Sequence, residues 1–242
     1  LQTADSAISI NLNFGTQEGV IGYNQGGPTT ISGGIAGSGG LTIYQAQSNT
    51  SANSTGTGVT LSGAATFTGD FTVNSRAAVS HSDFLAHGSR TGNVIVNGLL
   101  TLNGNGTDSR GYTMNGLYGS GRLSKGFSGA GLFRIGDNNS DGYFTGTITD
   151  GGTTALEKIG SGTQIFTGSN AWSGVTRILG GTLDVTQLAN GLANSGIGRS
   201  SNLAANLVLN GGTLKYSGDV TSTDRLFTVG VLGGGLDASG TG

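Results

Sequence analysis

Residues 156–185 read LEKIGSGTQIFTGSNAWSGVTRILGGTLDV. The closing tetrapeptide, Thr182-Leu183-Asp184-Val185, alternates polar and apolar side chains, the period of a half-buried strand. The middle, Phe166-Thr167-Gly168-Ser169-Asn170-Ala171-Trp172-Ser173-Gly174, is a run of turn formers that ends in an aromatic residue, a hydroxyl residue and a glycine. The same form stands far upstream as Leu61-Ser62-Gly63-Ala64-Ala65-Thr66-Phe67-Thr68-Gly69. Working outward, Val96-Asn97-Gly98 with Leu100 and Leu102 parallels Leu209-Asn210-Gly211 with Leu214 and Tyr216. Ile35-Ala36-Gly37-Ser38-Gly39-Gly40-Leu41 likewise parallels Leu117-Tyr118-Gly119-Ser120-Gly121-Arg122-Leu123. The blocks keep their order while their spacing varies, as stacked copies joined by loops of unequal length do.

Short alternations of this kind fill the chain, among them Ala7-Ile8-Ser9-Ile10-Asn11-Leu12, Asn93-Val94-Ile95-Val96 and Leu207-Val208-Leu209. Each is strand-length, rich in β-branched residues and bounded by Gly, Asn, Asp or Ser. No segment holds helical periodicity for three turns; in LANGLANSGI, from Leu188 to Ile197, two glycines interrupt the nearest approach to it, so it reads as a loop or short turn. A strand that repeats between polar corners can stack on its own copies, burying inward residues and pairing every backbone group along the stack. At about 20–25 residues per rung and about 4.8 Å per step, the chain would make about ten rungs and extend on the order of 50 Å. A β-sandwich or barrel is the competing all-β fold, and the block order argues against it.

Glycine occupies 49 of 242 positions beside one proline, Pro28, and no Gly-X-Y period is present, which excludes collagen. Apolar residues make up 34%, too many for a disordered linker and too few for a thick globular core, so a thin, long core fits better. Charged residues are 10% and the net charge is -2; the basic residues, Arg76, Arg90 and Arg110 among them, are scattered, which argues against a nucleic-acid partner. No apolar run approaches the roughly 18 residues of a membrane helix. The chain opens at Leu1 and stops at Gly242 inside ordinary alternation, so a segment of a longer protein is expected. Cysteine is absent, so no disulfide braces the fold and none would obstruct a chain crossing a membrane unfolded.

The stretch Leu156 to Val185 resembles the passenger-associated repeat of bacterial autotransporters, of the form L-x-K-x-G-x-G-T-x-x-x-x-G-x-N-x-(aromatic)-S-G-x-T-x-(I/V)-x-x-G-T-L. Asn210-Gly211-Gly212-Thr213-Leu214, Asp224-Arg225-Leu226-Phe227-Thr228-Val229-Gly230 and Phe144-Thr145-Gly146-Thr147-Ile148-Thr149-Asp150-Gly151-Gly152 also look like that family. The likeness is strong over about residues 130–242 and weaker from Thr30 to Gly126. Gln164 stands where the family commonly carries Leu, and Phe67 replaces its usual Trp or Tyr, which bears on the register of those rungs. The resemblance implies a right-handed parallel β-helix over 1–242 as a single segment. It also implies display on the bacterial surface or release from it, and a parent that ends in an outer-membrane β-barrel. The function expected is a non-catalytic structural stalk or adhesin-type segment, without cofactor. A module binding host glycans or extracellular matrix is the alternative, and a polysaccharide-active enzyme ranks below it.

No residue is assigned to catalysis, cofactor or metal. Asp137-Asn138-Asn139-Ser140-Asp141-Gly142 matches the opening of a calcium loop, but Ile148 stands where its bidentate Glu belongs, so a solvated turn is the better reading. His81 and His87 are the only histidines. Ser80-His81-Ser82-Asp83 contains base, carboxylate and hydroxyl, yet sequence neighbours seldom form a working triad. The acids are scattered, and Asp219 and Asp224 read as corner residues. Trp172, Phe166, Phe67 and Tyr216 would make a sugar-stacking platform if they faced outward, but their fixed neighbours point to packing along the stack. Gly39-Gly40 and Gly233-Gly234-Gly235 lack the Lys and helix of a phosphate loop and read as turns.

Overall fold

Triplets whose first and third residues are apolar fold as short strands with both of those ends inward. Val59–Leu61, Phe71–Val73, Val94–Val96 and Leu207–Leu209 each bury their outer two residues and half-expose the middle one. The computed structural model describes residues 7–23, 29–46, 58–81, 92–103, 111–150 and 153–239. Among these residues there is no α-helix, and the only helical element is the 3-10 turn Ala204–Asn206.

The strands stack into a parallel β-helix of about nine turns with three faces. Face one is a seven-stranded sheet running from Ala7–Ile8 through Thr29–Ile31, Val59–Leu61, Ala78–His81, Leu99–Leu102 and Arg122–Lys125 to Thr147–Thr149. Face two begins with Leu12–Asn13 and Ile35–Ala36. It continues from Tyr112–Met114 through Gly131–Ile135, Thr154–Lys158, Thr176–Ile178 and Leu207–Leu209 to Thr228–Val229. Face three runs from Gly19–Tyr23 to Leu117–Tyr118. The bridge Gly119–Phe144 passes it to the sheet that starts at Gly142–Phe144 and ends at Gly235–Asp237. Every pairing between named strands is parallel, which a sandwich or meander of hairpins would not give.

Successive rungs are 23 residues apart from Ala7 to Thr30, 30 from Leu41 to Phe71, and 31 from Thr176 to Leu207. The longest of these steps carries the described excursion 186–206, so its spacing is that of an insertion. The matched sequence blocks prove not to be whole-rung equivalents. Ile35 to Leu41 leads from face two to face three, whereas Leu117 to Leu123 leads from face three to face one. Leu61 and Phe166 also close strands of different faces. What repeats is a strand–corner–strand unit, used at all three corners of the triangle.

The core is a single apolar column from Ile21 to Leu214. Aromatic rings meet along it: Phe67 lies 5.9 Å from Phe71, Phe144 lies 6.4 Å from Phe166, and Phe166 lies 6.0 Å from Trp172.

Candidate functional site

The corners consume most of the polar groups. In the turn before Gly142–Phe144, Asn139 takes φ +63 and its Oδ1 accepts from Ser161 N at 3.0 Å. Asp141 Oδ1 accepts from Thr163 N at 2.6 Å, and Asn138 Oδ1 from Ser140 N at 3.1 Å. Oxygens that would face a calcium ion are bonded to backbone amides, two of them on the next rung; the stretch is an Asx corner. Among the described residues no group of three His, Asp or Glu is placed to hold a metal.

The residues of the 156–185 stretch have structural tasks. Lys158 is buried, and its Nζ donates to the carbonyls of Ile159 (2.7 Å), Gly160 (3.2 Å) and Gly180 (3.3 Å). Burial pulls its amine down to about 8, against the attraction of Asp141. The neighbouring corner needs glycine: Gly160 holds φ +67, and a Cβ on it would overlap the Gly136 carbonyl of the rung before. Gln164, the departure from the family pattern, is 1% exposed. Its Nε2 donates to Leu117 O at 2.9 Å and its Oε1 accepts from Leu117 N at 3.0 Å. The amide thus reaches past Gly142, where a Cβ would overlap it, and acts as a missing strand partner two rungs away. Trp172 is fully buried, with Nε1 donating to Thr176 Oγ1 at 2.8 Å, which in turn donates to Ile197 O at 3.0 Å. Asp150 Oδ2 accepts from Ser173 N and Oγ, each at 2.9 Å, and from Thr154 N at 3.0 Å.

Trp172, Phe166 and Phe67 lie in the core, as their fixed neighbours indicate, and Tyr216 is half-buried with its hydroxyl donating to Asp219 O. His81 points inward and is 1% exposed; Ser82, Asp83 and His87 lie outside the described residues, as does 47–57, most of the loop 47–58. Asp224 turns out to be more than a solvated corner. With Arg225 it fastens the 21-residue excursion between Thr182–Val185 and Leu207–Leu209. Asp224 accepts from Gly191 N at 2.8 Å and from Asn202 Nδ2 at 3.2 Å. The guanidinium of Arg225, 9% exposed, donates to the carbonyls of Ala189 (3.0 Å), Ala193 (3.1 Å) and Gly198 (2.9 Å) and to Ser200 Oγ (3.2 Å).

Three surfaces remain outside. Face one carries a hydroxyl row in register, Thr30, Thr60, Ser80, Thr101, Ser124 and Thr149, over part of which lies a shallow groove of about 220 Å³. Face two carries an ion ladder in which Glu157 meets Arg134 at 2.8 Å and Arg177 at 3.6 Å. Face three presents Ile95, Tyr118, Tyr143 and Ile165 on four successive rungs, then Asp184 and Lys215, paired at 3.5 Å. Strand parity reveals these outward aromatics: Tyr143 stands between inward Gly142 and Phe144, and Tyr118 follows inward Leu117.

Compared with known proteins, residues 156–185 match the model of the passenger-associated-transport-repeat. The chain is 38% identical over 158 residues to the adhesin BmaC autotransporter of Brucella suis biovar 1 (strain 1330). That match covers 63% of this chain and 4% of the relative, so the chain spans a small fraction of the curated protein it resembles. No solved structure matches at a significant level. The repeat match falls on the rungs where Lys158, Gln164 and Trp172 tie turns of the stack together, and the likeness to an autotransporter covers 63% of the chain: residues 156–185 match a passenger-associated repeat, and the chain is similar to an autotransporter passenger.

Proposed function

We propose that the chain is a non-catalytic shaft of a surface-displayed adhesin, held outside the cell by a parent that ends in an outer-membrane β-barrel. The observation that carries this reading is where the polar side chains go. Asn139, Asp141, Asp150 and Lys158 bond backbone groups of neighbouring rungs, and Gln164 those of a strand two rungs away, rather than converging on a reacting centre. Stacked rungs give length and a surface that repeats along the axis, which suits a spacer bearing contacts along its side. The relative is itself named an adhesin.

The test is to display the chain on bacteria through an outer-membrane barrel. Display should be protease-resistant, and the cells should attach to host cell layers or matrix above a barrel-only control. A folded, displayed chain that adds no attachment removes the adhesive half of the reading. Release of new reducing ends from a polysaccharide panel by the purified chain would instead favour a β-helix enzyme.

A further inference from the structure

Outward residues of face three form three parallel rows. The middle row is Ile95, Tyr118, Tyr143 and Ile165, one per rung, so it extends over about 14 Å at a rung spacing of about 4.8 Å. In the corners just before these strands stand Asn93 and Asp141, and just after them Asn97, Ser120 and Thr145; one oxygen each of Asn93, Asn97 and Asp141 accepts from a backbone amide of the next rung, which leaves the two amide Nδ2 groups and Asp141 Oδ2 for a ligand. Each side row lies roughly 7 Å from the middle one, given the rise of a strand.

Tyr118 is seated rather than loose. Tyr118 donates its hydroxyl to Asp141 O at 2.7 Å, and its ring occupies the place a Cβ on Gly116 would take. Tyr44, lower on the same face, covers Gly22 in the same way. Tyr143, 49% exposed, lies one rung beyond Tyr118. A fixed aromatic surface edged by amides and hydroxyls binds at little cost in side-chain entropy.

We propose that this stretch of face three binds a neutral polysaccharide laid along the helix axis, with sugar rings packed on Tyr118 and Tyr143 and hydroxyls bonded by the flanking Asn, Ser, Thr and Asp141 side chains. The proposal deepens the adhesin reading and rests on it. Charge selects the ligand class. The rows carry no cation, and their one charged side chain is the carboxylate of Asp141, which repels sulfated or uronate chains and accepts from sugar hydroxyls. The cations Arg134 and Arg177 belong to face two, and Lys215 to a rung beyond, already paired with Asp184. Area argues against a second copy of the chain. Three rung steps by two row steps make about 200 Å², a quarter of the roughly 800 Å² per partner of a standard interface.

Isothermal titration of the whole chain with cellohexaose, mannohexaose and heparin tests this. The expected result is saturable binding of a neutral hexasaccharide, with none of heparin. Tyr143→Ala should weaken that binding about tenfold, while Tyr143→Phe and the face-two control Arg134→Ala should stay within about twofold. Tyr143 is exposed, so the fold should survive its truncation, which circular dichroism checks. Failure of both neutral sugars, preference for heparin, or wild-type affinity in Tyr143→Ala overturns the site. If cells displaying the chain still attach when the sugars fail, the adhesin reading stands without this site; if sugars bind and cells do not attach, the site stands without it.

Discussion

Two buried polar side chains show what the repeat pattern encodes one residue at a time. Lys158 keeps an amine among three carbonyls, and burial lowers its pKa from 10.5 to about 8. Between those values the unfolded chain holds a proton that the folded chain has released. Stability should therefore rise with pH across that window, by up to about 3 kcal/mol, and the penalty should be fully present below pH 8. Urea midpoints at pH 7.5 and 9.5 check this, and Lys158→Met should show a smaller rise than wild type. The comparison is needed because burial also lowers Lys125, which adds a slope of the same sign; equal slopes would exclude Lys158 as the source. Gln164 tests the pattern from the other side. Putting the family's Leu there would leave Leu117 N and O without the amide that pairs with both, at a cost of about 2–4 kcal/mol. A Gln164→Leu chain as stable as wild type by denaturant titration would mean the amide bridge contributes nothing. The sequence marked Gln164 as a departure, but its partner lies 47 residues away, and no local pattern encodes that distance.

At the scale of elements, the excursion between Thr182–Val185 and Leu207–Leu209 is the clearest unit with its own logic. It brings Gly198, at φ +79, against the Trp172 ring, where a Cβ would overlap the indole, so its packing depends on a glycine at that turn. From the rung below it is held by Thr176 Oγ1 on Ile197 O and by backbone bonds to Asn170 and Trp172, and from the rung above by Asp224 and Arg225. Arg225→Met should leave several loop carbonyls without a donor and cost about 2–4 kcal/mol. In a stack where each rung touches only its neighbours, that loss should stay local. Hydrogen exchange should accelerate through residues 186–206 and remain slow in Leu99–Leu102 and Arg122–Lys125. Uniform acceleration would show a more cooperative unit than the nearest-neighbour picture allows. Strand positions were legible because the alternation decides which side chain faces in, as in Val94–Val96 and Leu207–Leu209. The anchoring role of Asp224-Arg225 was not, since a charged pair in a turn reads as solvated until the loop that folds over it is in place.

For the whole molecule, the matched blocks pointed to a solenoid for a reason only partly right. Their constant order did reflect stacking, yet copies such as Ile35 to Leu41 and Leu117 to Leu123 round different corners of the triangle. Quasi-equivalent corners explain why spacing alone could not set the rung length, which ranges from 19 residues, Thr163 to Thr182, to 31, Thr176 to Leu207. The same architecture bears on export. A rung that has stacked buries its inward residues and closes its ladder, so it is hard to withdraw, and each further rung adds to a one-way gain. If stacking outside the cell helps draw the chain through the membrane, a break in one central rung should reduce display of the whole. Val94 is fully buried, and its N–H donates to Gly116 O at 3.0 Å. Val94→Pro removes that bond and sets the ring in a central strand, at about 3 kcal/mol or more, whereas Val94→Ala removes side-chain volume and keeps the bond. Surface display measured by antibody labelling of intact cells should fall clearly below wild type for Val94→Pro and fall less for Val94→Ala. Equal display of all three chains would sever stacking from export, because the ladder would then be broken with no effect on how far the chain emerges.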